Sequence, residues 1–220
     1  MIQPLQDEMP WLAEASAEEL SRIIEALYHV HTLIAAITDL DTLLLRISEE
    51  SKHVARAEAS SVMLFNPATE ELYFHVAIGE SGDQDNLKRA IRLKLGQGIA
   101  GVTAATRTPV NVADVRLDKR FFGGADAASH FETRNLLAVP MLDRDNLIGV
   151  LEVVNKVGAD AFAPLDLRAL QMFGALAASA VSNARLIEEQ IRSEQLAAIG
   201  RALTTLSHYT KNIVTGLNSS

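Results

Sequence analysis

The chain has 220 residues, 48% of them hydrophobic, with 28 acidic against 20 basic side chains, a formal charge of −8 and no cysteine. That size suits one sizeable core with long helical extensions, or two small domains. The acidic balance and the lack of a Lys/Arg cluster argue against a nucleic-acid surface, and the missing cysteines exclude disulfides, thiolate zinc sites, thiol catalysis and thioether-linked chromophores.

No apolar run approaches the roughly 18 residues needed to cross a bilayer. Met1–Trp11 is acidic and has no basic n-region, so no secretory signal is expected there. The six histidines have no metal-ligand spacing; His29 and His31, two apart, point to different faces of a helix. A cytoplasmic protein without metal, membrane or nucleic acid is therefore expected.

Ser16 followed by Glu19 is a capping box and opens a helix. Leu20, Ile23, Leu27, Val30, Ile34 and Ile37 then recur at three and four, a heptad seam. Thr38 with Asp41 marks a further cap, and Leu43, Leu44, Ile47 and Val54 carry the helical pattern to about Arg56. Ser61–Phe65, the turn Asn66-Pro67-Ala68-Thr69 and the alternating Leu72, Phe74, Val76, Ile78 read as a hairpin. Gly79–Asn86 reads as a polar loop, and Ile91, Leu93, Leu95 as a third strand with one wet face.

Ile99–Thr106 reads as a short helix stopped before Pro109, Val110–Val112 as a fragment of strand, and Asp114–Glu132 as a long irregular stretch. A loop of that length in a compact domain is usually functional or mobile. Leu136–Leu142 and Leu147–Asn155 form a second hairpin around Asp143–Asn146. From Pro164 the chain reads as helix to near its end, with Pro164 in the first turn and Asp166 at the positive end of the dipole.

That last helix is roughly 50 residues, about 75–80 Å at 1.5 Å per residue. Its first seam, Phe173, Ala177, Ala180, Ala184, Ile187 and Ile191, slips near Gln195, as a stutter does. The second seam runs Leu196, Ile199, Leu203, Leu206, Thr210, Ile213 and Leu217. A helix of this length with an open seam implies a partner, most simply a second copy in a homodimer.

Gly96, Gly98 and Gly101 spell G-x-G-x-x-G, the dinucleotide-binding pattern. The preceding strand alternates with Arg92 and Lys94, unlike a buried parallel strand, and Pro109 follows too soon for a crossover helix. A tight turn and close helix packing are the expected roles of these glycines.

The element order, with Leu95-Gly96-Gln97-Gly98-Ile99-Ala100-Gly101, Asn111-Val112-Ala113-Asp114, the strand pair Leu136–Asn155, and Asn155-Lys156 with Phe162 and Asp166, resembles a GAF domain over roughly Asp39–Asn183. The resemblance implies an α+β fold: a GAF-like antiparallel sheet of about six strands with flanking helices, plus long N- and C-terminal coiled-coil helices. The division expected is an arm over 1–38, the sensor domain over 39–183 and a coiled-coil segment over 184–220. It further implies that the first and last helices share one face of the sheet while short helices and loops roof a pocket on the other.

Asn155, Lys156, Phe162 and Asp166 resemble the motif of cyclic-nucleotide-binding members, with Leu167 in place of the following acidic residue. In the family this set mainly ties the last strand to the last helix, here through a Lys156–Asp166 ion pair. The pocket roof corresponds to Gly98–Thr106 and Asp114–Phe131. Phe122 and Phe131 are placed to stack on a planar ligand, with Asp114, Arg134 and Asn135 as polar contacts; alternatively the phenylalanines fill a core and the polar groups cap turns.

Ser207-His208-Tyr209-Thr210-Lys211-Asn212 resembles the phosphoacceptor box of sensor histidine kinases. With Leu203 at a and Leu206 at d, His208 falls at f, off the seam. The resemblance implies His208 as phosphoacceptor, with Lys211 and Asn212 beside it. Tyr209 and Ile213 depart from the pattern, standing where an acidic residue and a proline are usual. The chain carries no ATP-binding domain or Walker loop, so ATP and magnesium enter only with a downstream kinase domain, and no cofactor belongs to this chain itself.

The leading expectation is the GAF sensor module of a two-component histidine kinase, relaying ligand or partner state through a dimeric helix to His208, with a response regulator as partner of the full-length protein. The alternative is a GAF regulatory domain of a nucleotide cyclase or phosphodiesterase, binding a cyclic nucleotide or other small planar ligand. The reductase members of the family work through cysteine, which this chain lacks.

Overall fold

The computed structural model describes residues 15–36, 39–79 and 84–217, and their side chains apart from those of 33–36, 84, 200 and 202–217. Two compact units divide between Val181 and Ser182.

In the first unit, α1 (Ala17–Ala36) opens at the capping box: the Glu19 N–H donates to Ser16 Oγ (3.2 Å), and the Ser16 N–H donates to the Glu19 carboxylate (2.9 Å). The next helix, α2 (Leu40–Val54), is capped by Asp39, whose carboxylate accepts from the Thr42 N–H at 3.0 Å. The cap is thus Asp39 with Thr42 and not the expected Thr38–Asp41 pair; Thr38 lies outside the described residues. On α1, Ile23, Ala26 and Val30 are buried in the same core as Leu43, Leu44 and Ile47 of α2. That stretch of the N-terminal seam is therefore covered by the chain's own core.

The strands are β1 (Ala57–Asn66), β2 (Glu71–Gly79), β3 (Arg92–Lys94), β4 (Val110–Val112), β5 (Leu136–Asp143) and β6 (Asn146–Lys156). The described residues form one six-stranded sheet, order β3-β2-β1-β6-β5-β4, with every neighbouring pair antiparallel. That order is an α+β arrangement and leaves no parallel crossover for a dinucleotide fold. Between the strands lie α3 (Gln84–Ala90), α4 (Gly98–Thr106), a 3-10 turn (Val115–Leu117) and α5 (Gly124–Ser129). Gln84–Ala90 is thus helical where a polar loop was expected to reach Asn86, and the long segment after Asp114 is partly ordered into two short helical turns.

Side-chain alternation sorts the sheet into two apolar layers. Val62, Leu64, Leu137, Val139, Leu151 and Val153 face α2 and the first turns of α6 (Pro164–Leu217), where Leu170, Phe173, Ala177 and Val181 are buried. Met63, Leu72, Phe74, Leu93, Leu136 and Val150 face the opposite layer, with Ile99, Ala100 and Ala104 of α4. The glycines before and in the first turn of α4 serve packing: a Cβ on Gly101 would stand 2.5 Å from the Lys94 carbonyl, and Gly96 and Gly98 hold φ of +84° and +70°.

Lys156 at the end of β6 ties that strand to α6. Its Nζ donates to both Asp166 carboxylate oxygens (2.9 and 2.8 Å) and to the Ala55 carbonyl (2.8 Å). Asp166 also accepts from the Ala163 N–H at 2.8 Å, so the same carboxylate caps the helix that Pro164 begins. The Phe162 ring is buried beneath the ammonium, 5.8 Å away, and its carbonyl accepts from Asn111 Nδ2 at 2.9 Å. Asn155, fully buried at φ +60°, receives the Arg134 N–H (2.7 Å) and donates to Glu58 and to the Glu132 carbonyl (both 2.8 Å). Asparagine tolerates that left-handed backbone better than most side chains.

The second unit, from Ser182, is the continuation of α6, unbroken past Gln195 to Leu217. Leu186, Ile187, Ile191, Leu196 and Ile199 each stand more than half exposed.

Lys156→Ala leaves Asp166 buried without its cation, which costs about 3–5 kcal/mol. Urea unfolding checks this; a loss well under about 1 kcal/mol, the size of a surface pair, would show that the clamp is dispensable.

Candidate ligand pocket

Glu152 lies in the middle of β6, an apolar strand whose residues Ile148–Val153 are all buried. Its cross-strand partners are Ser61 on β1 and Ala138 on β5, and Ser61 in turn faces Ala77 on β2. The small residues Ser61 and Ala77 beside Glu152 leave unfilled space over the sheet, and α4 and α5 roof it. The result is a part-open cavity of about 110 Å³. Ser61, Met63, Phe74, Ala77 and Glu152 line its floor, and Ile99, Ala100, Phe121, Phe122 and Ala125 line its roof.

Among the described residues two carboxylates line this cavity, and none of the lining side chains is Lys, Arg or His. Each oxygen of Asp126 accepts one hydrogen bond from Thr133, from its N–H (2.8 Å) and its hydroxyl (2.7 Å), which holds α5 against the approach to β5. Glu152 has one long contact, the Ser61 hydroxyl donating at 3.4 Å. Burial pushes its carboxyl up to about 7, with the Ser61 bond opposing the shift.

Of the residues named from the sequence, Phe122 and Phe131 line the cavity. Asp114, Arg134 and Asn135 do not reach it, because each is engaged elsewhere. The Asp114 carboxylate caps the 3-10 turn and accepts from Arg116 Nε at 2.9 Å. Arg134 donates to Glu58 at 2.6 Å. Asn135 accepts from the Lys156 N–H (2.8 Å) and donates to the Asp160 carbonyl (3.1 Å). Asn155, Lys156, Phe162 and Asp166 form the clamp described above and do not line the cavity either. His208, Lys211 and Asn212 lie on the helical backbone of α6, and their side chains are outside the described residues.

Sequence reading passed over Glu152, although a single carboxylate within Ile148-Gly149-Val150-Leu151-Glu152-Val153-Val154 was a signal that could have found it. Among the described residues no cluster of His, Cys, Asp and Glu fits a metal ion, and no helix is long and apolar enough to cross a membrane.

Residues 39–181 match the GAF domain family, and the chain belongs to it. It is 26% identical over 212 residues to the dual 3',5'-cyclic-AMP and -GMP phosphodiesterase 11A of Takifugu rubripes, covering 90% of this chain and 23% of that protein. Over 138 residues it is 30% identical to the dual 3',5'-cyclic-AMP and -GMP phosphodiesterase 11 of Drosophila melanogaster, covering 59% of this chain and 10% of that protein. The chain therefore spans less than a quarter of these relatives. The GAF domain of a phosphoenolpyruvate-protein phosphotransferase from Coxiella burnetii superposes with a TM-score of 0.68 at 18% identity, covering 77% of this chain and 98% of that one. These findings define a regulatory, sensor-type domain.

The raised Glu152 carboxyl has a consequence for stability. Between its ordinary value of 4.5 and about 7 the folded chain keeps a proton that the unfolded chain has lost, so this group lowers stability as pH rises through that window and levels off above it. Glu152→Gln lacks the decline. Its stability relative to the parent should rise by about 3 kcal/mol from about pH 4 to about pH 8. Urea midpoints across that range check it; parallel curves would mean that Glu152 titrates as an ordinary carboxylate.

Proposed function

We propose that this chain is a ligand-responsive GAF regulatory domain of a cyclic-nucleotide signalling protein, a phosphodiesterase or cyclase, and that the cavity over Glu152 receives a small planar ligand, with the cyclic nucleotides first among those to test. The observation that carries this is a buried carboxylate in an aromatic-lined cavity with one long hydrogen bond. A buried charge without good partners is costly, and a ligand that donates to it removes that cost. The two relatives, named as cyclic-AMP and -GMP phosphodiesterases, support this setting over the kinase setting.

Occupancy acts through β6. Glu152 is three residues from Asn155 and four from Lys156, so a shift of the strand centre is felt at the clamp that caps the first turn of α6. The signal can be no larger than the ligand's differential affinity for the two arrangements. In the second unit, the exposed row Leu186, Ile187, Ile191, Leu196 and Ile199 supports pairing with a second copy. A phosphoryl relay at His208, with Lys211, Asn212 and a response regulator, is the second reading; the heptad phase that places His208 off the seam favours it.

Calorimetric titration with cyclic GMP and cyclic AMP tests the pocket. Ala125→Trp, which adds bulk at the partly exposed roof, should weaken binding about tenfold or more, about 1.4 kcal/mol. Unchanged affinity would move the ligand elsewhere. Native mass spectrometry should report two copies, and one copy after Ile187→Glu with Ile191→Glu; a single copy in the parent chain would end the pairing model.

A further inference from the structure

α1 lies outside residues 39–181, the span that matches the GAF family, and it adds a second concave surface to this unit. Arg22, Glu25 and His29 on α1 face Glu49, Glu50 and His53 on α2 across a part-open groove of about 300 Å³. Spacings of three and four put one stripe of each helix into it. The groove carries opposite charge at its two ends. The Glu19 carboxyl, held below its ordinary value first by hydrogen bonds from Ser16, is also lowered by the charges of Arg22 and Arg56, so both guanidinium groups lie at that end. At the other end the Glu50 carboxylate stands 3.8 Å from His29 Nδ1. Most of the carboxylates here are already engaged: Glu19 accepts from the Ser16 N–H (2.9 Å), Glu25 from the Ser21 hydroxyl (3.1 Å) and Glu49 from Arg46 (2.7 Å). Two groups are not. Arg22 Nε is buried without an acceptor. Among the described residues Glu50 meets only His29, at a distance beyond hydrogen-bond reach.

We propose that this groove is a second binding site, for a small zwitterion of the free amino-acid class, whose carboxylate pairs with Arg22 and whose ammonium pairs with Glu50. A buried guanidinium N–H without an acceptor is costly, and a carboxylate removes that cost with charge-assisted hydrogen bonds. A simple anion meets Glu25, Glu49 and Glu50 as well, and a simple cation meets Arg22; a molecule with both signs matches both ends. No cluster of described His, Asp and Glu side chains fits a metal ion, so these imidazoles and carboxylates are not a metal-binding set. They remain hydrogen-bonding groups, the ring nitrogens of His29 and His53 donating or accepting according to tautomer. The volume, about that of ten liquid waters, admits a small amino acid. Ala26 is the one apolar side chain among the described lining residues, so glycine, alanine and serine fit better than an amino acid with a long apolar or anionic side chain. Held by one residue from each helix, the ligand bridges α1 to α2 and stabilises the helix pair by mass action. Both groups are part-exposed, so the affinity expected is modest, with a Kd of about 1 mM.

The test titrates the full chain with glycine, L-alanine and L-serine and follows the ring NMR signals of His29 and His53, assigned with His29→Gln and His53→Gln. Both rings should shift and saturate with at least one of the three. Arg22→Gln and Glu50→Gln, each verified as folded by its unfolding curve, should weaken that binding about tenfold or more. Arg168→Gln, which removes an exposed cation on α6, should leave it unchanged. Acetate and ethylamine, with one charge each, should bind about tenfold more weakly or less tightly still. No shift of either ring with any of the three amino acids up to about 10 mM overturns the site. Unchanged affinity in Arg22→Gln or Glu50→Gln overturns the assigned pairing, and acetate binding as tightly as the amino acid overturns the zwitterion. None of these outcomes bears on the cavity over Glu152, which shares no lining residue with the groove.

Discussion

Everything in the GAF unit is arranged around one strand that must be covered on both faces. From Ile148 to Val153, β6 is apolar with a single carboxylate in the run, and it sits inside the sheet between β1 and β5. An antiparallel sheet commonly leaves one face to water; this one cannot. Leu151 and Val153 require α2 and the start of α6 on one side, while Val150 requires α4 on the other. The roof that covers the second face is what makes a cavity possible at all.

Two buried carboxylates illustrate opposite solutions to the same desolvation problem. Asp166 meets an ammonium, a backbone N–H and a helix N-terminus, so its charge is matched on every side. That arrangement locks β6 to α6. Glu152 meets only a distant serine hydroxyl, and its proton affinity rises in response. A matched pair gives geometry; an unmatched group gives sensitivity to whatever enters beside it. Glu152 and Lys156, the cation that matches Asp166, lie on the same strand four residues apart, a direct physical link between the cavity and the clamp.

Much of the fold was legible in the chain. The hairpins were visible because alternation and the Asn66-Pro67 turn are local signals, and the Ser16–Glu19 box because capping is decided within one turn. Lys156 and Asp166 could be paired from the family motif. The pocket was legible only in outline. Phe122 and Phe131 line it, but Asp114, Arg134 and Asn135 are drawn away by Arg116, Glu58, Asp160 and the Lys156 N–H, neighbours that no spacing rule brings together. Gln84–Ala90 is helical in a stretch whose first residues read as polar loop, since short helices there are held by contacts with β2 and α5.

By itself the sequence determined the order of the strands and the longer helices, the two-faced sheet, the long C-terminal helix and its apolar seam, because periodicity, caps and turns act over a few residues. Only the tertiary structure decided that the N-terminal stripe of Ile23, Ala26 and Val30 is buried within the chain, and that the cavity opens over Ser61 and Ala77 with Glu152 at its floor. Both depend on register between strands and helices far apart in the chain, and a residue's burial, unlike its propensity, is set by what the rest of the fold places against it.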